Sequence, residues 1–153
     1  MRVYPEYNGR MVDWPRVSAL PGAAETLAQL QSKYRLVVAT NARDSDETDI
    51  WEALKRAGLA HFLERVYCFR SVGVTKPERA FYDFILNDLG AQAQQTLMVG
   101  DDWETDILGA NRAELWAIWL NESSDEKRNG PLIETIHHLS ELPWVIKNLT
   151  EEK

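Results

Sequence analysis

The chain has 153 residues, 44% hydrophobic and 27% charged, with 24 acidic against 17 basic side chains and a formal charge of -7. That size and apolar content suit one ordinary folded domain and exclude a disordered tail, and the acidic balance argues against a general affinity for nucleic acid or an anionic membrane. The longest apolar runs, such as Leu36-Val37-Val38-Ala39, fall far short of the roughly 20 residues that span a bilayer, and Met1-Arg2-Val3-Tyr4-Pro5-Glu6 is no signal peptide, so the chain reads as cytoplasmic.

Residues 1–20 fit no regular pattern; Tyr4-Pro5-Glu6-Tyr7-Asn8-Gly9 and Asp13-Trp14-Pro15 read as turns with aromatic anchors, a lead-in rather than a core element. From residue 22 helical and strand patterns alternate. A helix is expected over Ala23–Ser32 with Leu27 and Leu30 buried, then a strand at Arg35–Ala39 whose unbroken apolar run suggests cover on both faces. Ser45 or Asp46 can cap a second helix, with Ile50, Ala53, Leu54 and Ala57 inward and Gly58 as its stop. A strand at Val66–Phe69 holds the single Cys68, which can make no internal disulfide and reads as core. A helix from Lys76 or Pro77 to Leu89 would turn Phe81, Phe84, Ile85 and Leu89 inward. A buried strand at Thr96–Val99, a helix at Thr105–Ala113 and a strand at Leu115–Leu120 follow. Thr135–Leu139 reads as an edge strand and Ser140 as the cap of a last helix through Leu149. Such alternation predicts βαβ crossovers and a doubly wound, mainly parallel α/β sheet. Ligands of such sheets lie at the carboxyl ends of the strands. Here those ends carry Thr40-Asn41, Arg70-Ser71 and Gly100-Asp101-Asp102, which should share one crevice.

Three features on that rim carry chemistry. Asp101, Asp102, Glu104 and Asp106 place four carboxylates within six residues. Helix N-termini favour acids, which accounts for Glu104 and Asp106. Asp101 and Asp102, directly after Gly100 at the sheet edge, are equally well explained by a hard cation such as Mg2+ that offsets their repulsion. Lys76 lies in Thr75-Lys76-Pro77-Glu78, a capping-box pattern that would set an ammonium at the positive end of a helix. That is either a solvated lysine or a sign that an anion is also bound. Thr40, read alone, is a hydroxyl ending a strand; followed by Asn41, it adds donors to the same rim. His137 and His138, on opposite faces of an edge strand, would share no metal, and Trp103 in the acidic turn is a candidate pocket wall. No Ser-His-Asp spacing, Gly-rich phosphate loop or His-Glu-x-x-His motif is present.

The order Thr40, Lys76, Asp101, Asp106 resembles the haloacid dehalogenase-like superfamily over about residues 20–149. Val37-Val38-Ala39-Thr40-Asn41 is similar to its second motif, Thr75-Lys76-Pro77 to its third, and Val99-Gly100-Asp101-Asp102-Trp103-Glu104-Thr105-Asp106-Ile107-Leu108-Gly109-Ala110 to its fourth. Glu114 stands where a Gly commonly ends the following helix. The larger departure is that no buried strand ending in Asp-x-Asp opens the chain, and Asp13 has neither the strand nor the second Asp.

The resemblance implies a Rossmann-like core over residues 21–149, a lead-in or cap remnant at 1–20 and a tail at 150–153. It also implies a truncated N-terminus, lacking the central first strand and most of the cap, so that strands left without a neighbour favour self-association. In the complete family the reaction is Mg2+-dependent hydrolysis of a small phosphorylated molecule through an aspartyl-phosphate. By resemblance Thr40, Asn41 and Lys76 bind phosphate, Lys76 and Asp101 serve the reaction, and Asp101, Asp102 and Asp106 hold or orient Mg2+. Without the nucleophile, little or no activity is expected, since losing one costs on the order of 10⁶ in rate. The alternative is a non-catalytic module that binds a phosphorylated ligand or a protein partner through the same rim.

Overall fold

In the computed structural model, which describes residues 19–151, local signals place most of the elements. Of the lead-in expected over residues 1–20, residues 1–18, including Asp13, lie outside the described residues. The described residues form two compact units, 19–73 with 142–151, and 74–141.

In the first unit, helix α1 spans Ala23–Gln31 and buries Ala23, Thr26 and Leu30, one stripe at helical spacing. Leu27 is only half-buried. Strand β1, Val37–Ala39, pairs in parallel with β2, Arg65–Tyr67, with Val38 opposite Val66. Between them α2, Glu47–Arg56, begins at Asp46, whose carboxylate accepts the Asp49 N–H at 2.8 Å while Asp49 accepts the Asp46 N–H at 3.2 Å. This reciprocal cap satisfies two donors that the first turn leaves open, and the helix buries Ile50, Ala53 and Leu54. Cys68 is fully buried ahead of the short α3, Phe69–Val72. The last helix, α6, Leu142–Glu151, packs against α1. It starts two residues beyond Ser140, because a 3-10 turn over Leu139–Glu141 comes first.

The second unit opens with Lys76, joined to Pro77 by a cis peptide bond, and α4, Arg79–Leu89. It continues through β3 (Leu97–Gly100), a π-helix (Trp103–Leu108), α5 (Gly109–Arg112), β4 (Trp116–Leu120) and β5 (Ile133–Ile136). The three strands run parallel in the order β3-β4-β5, with Gly100 opposite Trp119 and Ile118 opposite Glu134. Tyr82, Ile107, Ala110, Ala113, Leu115, Ala117, Trp119 and Ile133 form its buried core. These parallel pairings with intervening helices are the α/β, Rossmann-like class that the alternation predicts.

Several details differ from expectation. Phe84 is 43% exposed and Tyr82 takes its place in the core, packed with Ala110 and Ala113 and with its hydroxyl against Gly109; Phe81 and Ile85 are buried as expected. The two apolar strands β1 and β3 are half-buried throughout instead of covered on both faces. Among the described residues β3 has one strand neighbour, β4, and it is β4 that is buried from Ala117 to Leu120. The edge strand ends at Ile136, so His137 and His138 lie beyond it. Both of their amides donate to Glu141 Oε2, at 2.7 and 2.8 Å, and the chain bends there. No helix among the described residues is long and apolar enough to cross a membrane.

Candidate active site

Lys76 does not open a helix. No side chain caps α4 at Glu78, and the Glu78 N–H donates to the Thr75 carbonyl at 3.0 Å, so a turn replaces the predicted capping box. Proline disfavours the helical conformation in the residue before it, which keeps Lys76 outside. Its ammonium turns inward and lies 2.6 Å from Asp106 Oδ1, with both side chains more than nine-tenths buried. The anion that a lysine here calls for is a carboxylate of the same chain. Two charges withdrawn from water hold each other firmly in place, and removing one partner of such a pair costs about 3–5 kcal/mol.

The backbone around Asp106 is built to admit that carboxylate. The amides of Asp106 and Ile107 both donate to the Asp102 carbonyl, at 2.9 and 3.3 Å, and the turn widens into a π-helix where a regular helix is predicted. Asp106 Oδ2 accepts the Asp102 N–H at 3.2 Å. Gly100 leaves the space that the Asp106 side chain occupies, since a Cβ there would lie 2.5 Å from Asp106 Cγ. Gly109 does the same for Pro77 and the Tyr82 hydroxyl, each 2.9 Å from where its Cβ would be. That hydroxyl donates to the Thr105 carbonyl at 2.6 Å. Burial, reinforced by the Asp106 charge, pushes the Tyr82 phenol well above its ordinary range.

Asp101 and Asp102 remain at the surface. The Asp102 carboxylate caps the π-helix by accepting the Thr105 N–H at 2.9 Å, and chiefly through that bond, with Lys76 adding to it, its carboxyl is held below the usual range. The Asp101 side chain makes no hydrogen bond or ion pair with a described residue, while its carbonyl accepts Trp119 Nε1–H at 3.1 Å. No three acidic, His or Cys side chains among the described residues form a ready cation cage. Mg2+ needs none: it is usually held by one or two carboxylates and keeps several waters. The exposed carboxylates of Asp101 and Asp102 suit it, whereas both oxygens of Asp106 are taken by Lys76 and the Asp102 amide.

A sequence model of the haloacid dehalogenase-like hydrolases matches residues 1–120. The chain belongs to that family. It is 32% identical over 133 residues to a glyceraldehyde 3-phosphate phosphatase of Methanothermobacter thermautotrophicus, an alignment that covers 82% of this chain and 58% of the relative. Among solved structures it superposes on an uncharacterized protein from Listeria monocytogenes serotype 4b with a TM-score of 0.81 and 27% identity, covering 93% of this chain and 86% of that one. It superposes on the magnesium-bound HAD-hydrolase YfnB of Bacillus subtilis with a TM-score of 0.72 and 26% identity, covering 83% and 55%. The chain thus spans a little over half of the phosphatase and of YfnB.

Within this haloacid dehalogenase-like chain the second unit brings Lys76, Asp102 and Asp106 into direct contact and sets Asp101 beside them. Thr40 and Asn41 belong to the first unit. There Thr40 is half-buried at the end of β1, its amide donating to the Tyr67 carbonyl at 2.9 Å and its Oγ1 accepting the Ala42 N–H at 3.2 Å. Asp44-Ser45-Asp46 is the one Asp-x-Asp spelled in the sequence, and its Asp46 is spent on capping α2. Glu114, where the family resemblance expects Gly, has φ 69 and adopts the left-handed conformation that Gly favours. Sequence reasoning missed Tyr82 and Arg128, and it named Gly109 only within the fourth-motif resemblance, without its contacts. The roles of Tyr82 and Gly109 show only in what packs on them. Arg128 lies over the indole rings of Trp103 and Trp119, 4.8 Å from each centroid, and a charged residue in a polar connection gives no sign of that.

Proposed function

We propose that this chain carries the phosphate- and magnesium-binding part of a haloacid dehalogenase-like phosphohydrolase acting on a small phosphorylated molecule. The observation that carries the reading is the buried Lys76–Asp106 pair beside the exposed carboxylates of Asp101 and Asp102. Residues 21–149 are the working core in this reading and residues 1–20 a lead-in. Thr40 and Asn41 donate to phosphate oxygens, and Lys76, its charge fixed by Asp106, neutralises the anion. Asp101 and Asp102 hold the cation, and Asp106 orients Lys76 and the Asp102 amide. Bound Mg2+ supplies charge neutralisation on a phosphoryl oxygen. The likeness to a named phosphatase and to a magnesium-bound hydrolase supports both the substrate class and the cofactor.

None of these carboxylates is a nucleophile: Asp106 is engaged, Asp102 caps, and Asp101 serves the cation. We therefore expect the chain alone to bind phosphate and turn over little, and to self-associate, since among the described residues β3 pairs with β4 alone. The test is a pair of measurements on the purified chain: binding of inorganic phosphate by titration calorimetry with and without Mg2+, and hydrolysis of a panel of small phosphate monoesters. Phosphate binding that requires Mg2+ and disappears in Asp101→Ala and Lys76→Ala, with turnover at background, supports the proposal. Absence of binding refutes the site. Turnover comparable to ordinary phosphatases, abolished in Asp101→Ala, refutes the inactivity.

A further inference from the structure

The connection from β4 to β5 is an ordered segment with its own network. Buried Asn121 donates through Nδ2 to Ser124 Oγ at 2.8 Å and to the Glu126 carbonyl at 3.0 Å, and its Oδ1 accepts the Ser123 amide and hydroxyl. The Arg128 amide donates to Thr135 Oγ1 at 2.9 Å, which ties the far end of the connection to β5. Glu126 Oε1 accepts Arg128 Nε–H at 2.9 Å and thereby fixes the plane of the guanidinium. That plane meets Trp103 and Trp119, whose rings stand edge to face with centroids 5.3 Å apart. A planar, weakly hydrated guanidinium suits such a double contact, and an ammonium does not reproduce it.

Beyond the stack the contacts continue into the acidic turn. Trp119 Nε1–H donates to the Asp101 carbonyl, and the N–H of the same Asp101–Asp102 peptide donates to Asp106 Oδ2. Because a peptide unit is planar, holding its carbonyl at one end aims its N–H at the other. Trp103 is also the first residue of the π-helix that presents Asp106.

We propose that Arg128 is a positioning residue for the acidic turn: its stack on Trp103 and Trp119 holds the Asp101–Asp102 peptide, so the β4–β5 connection sets how tightly that turn holds a divalent cation. The cation part rests on the function proposed above; the positioning part does not.

The test uses the full chain as wild type, Arg128→Ala and Arg128→Lys, with hydrogen exchange followed by NMR and a titration with MgCl2. In Arg128→Ala the Trp119 indole N–H and the Asp102 amide exchange about tenfold faster, the loss of two ring contacts, while the Ile118 amide at the centre of β4 is unchanged. Arg128→Lys falls between the two. Mg2+ binding weakens several-fold in the same order. Exchange at Trp119 and Asp102 equal to wild type overturns the positioning. If Arg128→Ala loosens the whole unit and Ile118 exchanges as fast, Arg128→Lys decides: local acceleration supports the proposal and its absence overturns it. Local acceleration in a chain whose wild type binds no Mg2+ supports the positioning and overturns the cation site. Mg2+ binding that is identical in all three proteins overturns the coupling to the connection.

Discussion

Replacing Gly100 by alanine probes the crowding around Asp106. The added Cβ would sit 2.5 Å from Asp106 Cγ and 2.6 Å from its Cβ, and would overlap Oδ2 outright. Either β3 shifts or Asp106 leaves. On one side β3 is held by its register with β4, Gly100 opposite Trp119, and backbone adjustment around an extra methyl costs about 1–3 kcal/mol. Expelling Asp106 instead breaks a buried ion pair, about 3–5 kcal/mol. The cheaper route governs, so Gly100→Ala loses about 1–3 kcal/mol, a large share of the roughly 5–15 kcal/mol that holds a protein folded. Urea unfolding measures it. Asp106→Gly removes all three crowding atoms, and on that background the added methyl changes stability by less than about 0.5 kcal/mol, because alanine also stiffens the unfolded chain. The double-mutant cycle then shows a coupling of about 2 kcal/mol. A Gly100→Ala protein that unfolds at the wild-type urea concentration, or an equal loss on both backgrounds, would refute the reasoning.

Tyr82→Phe loses the bond to the Thr105 carbonyl, about 1–2 kcal/mol near neutrality. The phenol's value is raised on folding from an ordinary 10.0, so its contribution is complete below about pH 10 and declines as the pH rises above that, where the unfolded chain ionises first. Urea midpoints of the phenylalanine variant should therefore fall less steeply in alkali than those of wild type. Asp102→Ala removes the cap of the π-helix, about 1 kcal/mol at neutral pH. With the carboxyl lowered on folding from 3.8, that contribution is present above the unfolded value and is lost as the pH falls through the folded one, so variant and wild type converge in acid. Glu114→Gly relieves a left-handed backbone at φ 69 and raises stability by about 0.5–1 kcal/mol, seen as a higher thermal midpoint; no rise would mean that Glu114 has compensating contacts.

The α/β alternation was legible because parallel strands leave unbroken apolar runs, as at Leu36–Ala39, and because Ser45 or Asp46 marks a helix start and Gly58 its stop. The acidic turn was legible for a different reason, since Gly100, Asp101, Asp102 and Asp106 are neighbours along the chain. What joins Lys76 to Asp106 is a contact over 30 positions, and no local rule reports it. Thr75 and Glu78 even spelled a cap that does not form, because the helix waits until Arg79. Phe84 and Tyr82 changed places for a similar cause: both lie within one turn, and the tertiary packing of Tyr82 into the core of the unit decides which of them is covered. Arg128 gave no signal, as its partners lie on a strand and a π-helix remote in sequence.

The close fit of Gly100 to Asp106 and of Gly109 to Pro77 and Tyr82 bears on how such a chain can change over generations. Gly100 is sized to Asp106 alone and Gly109 to Pro77 and Tyr82 together, and Asp106 answers in turn to Lys76. A larger residue at Gly100 is tolerable only once Asp106 has shrunk, yet shrinking Asp106 first strands the lysine. Single steps out of this arrangement all lead downhill in stability, so its members are expected to drift together or stay put. The exposed faces of α2 and α4, which share no such lock, can vary one position at a time.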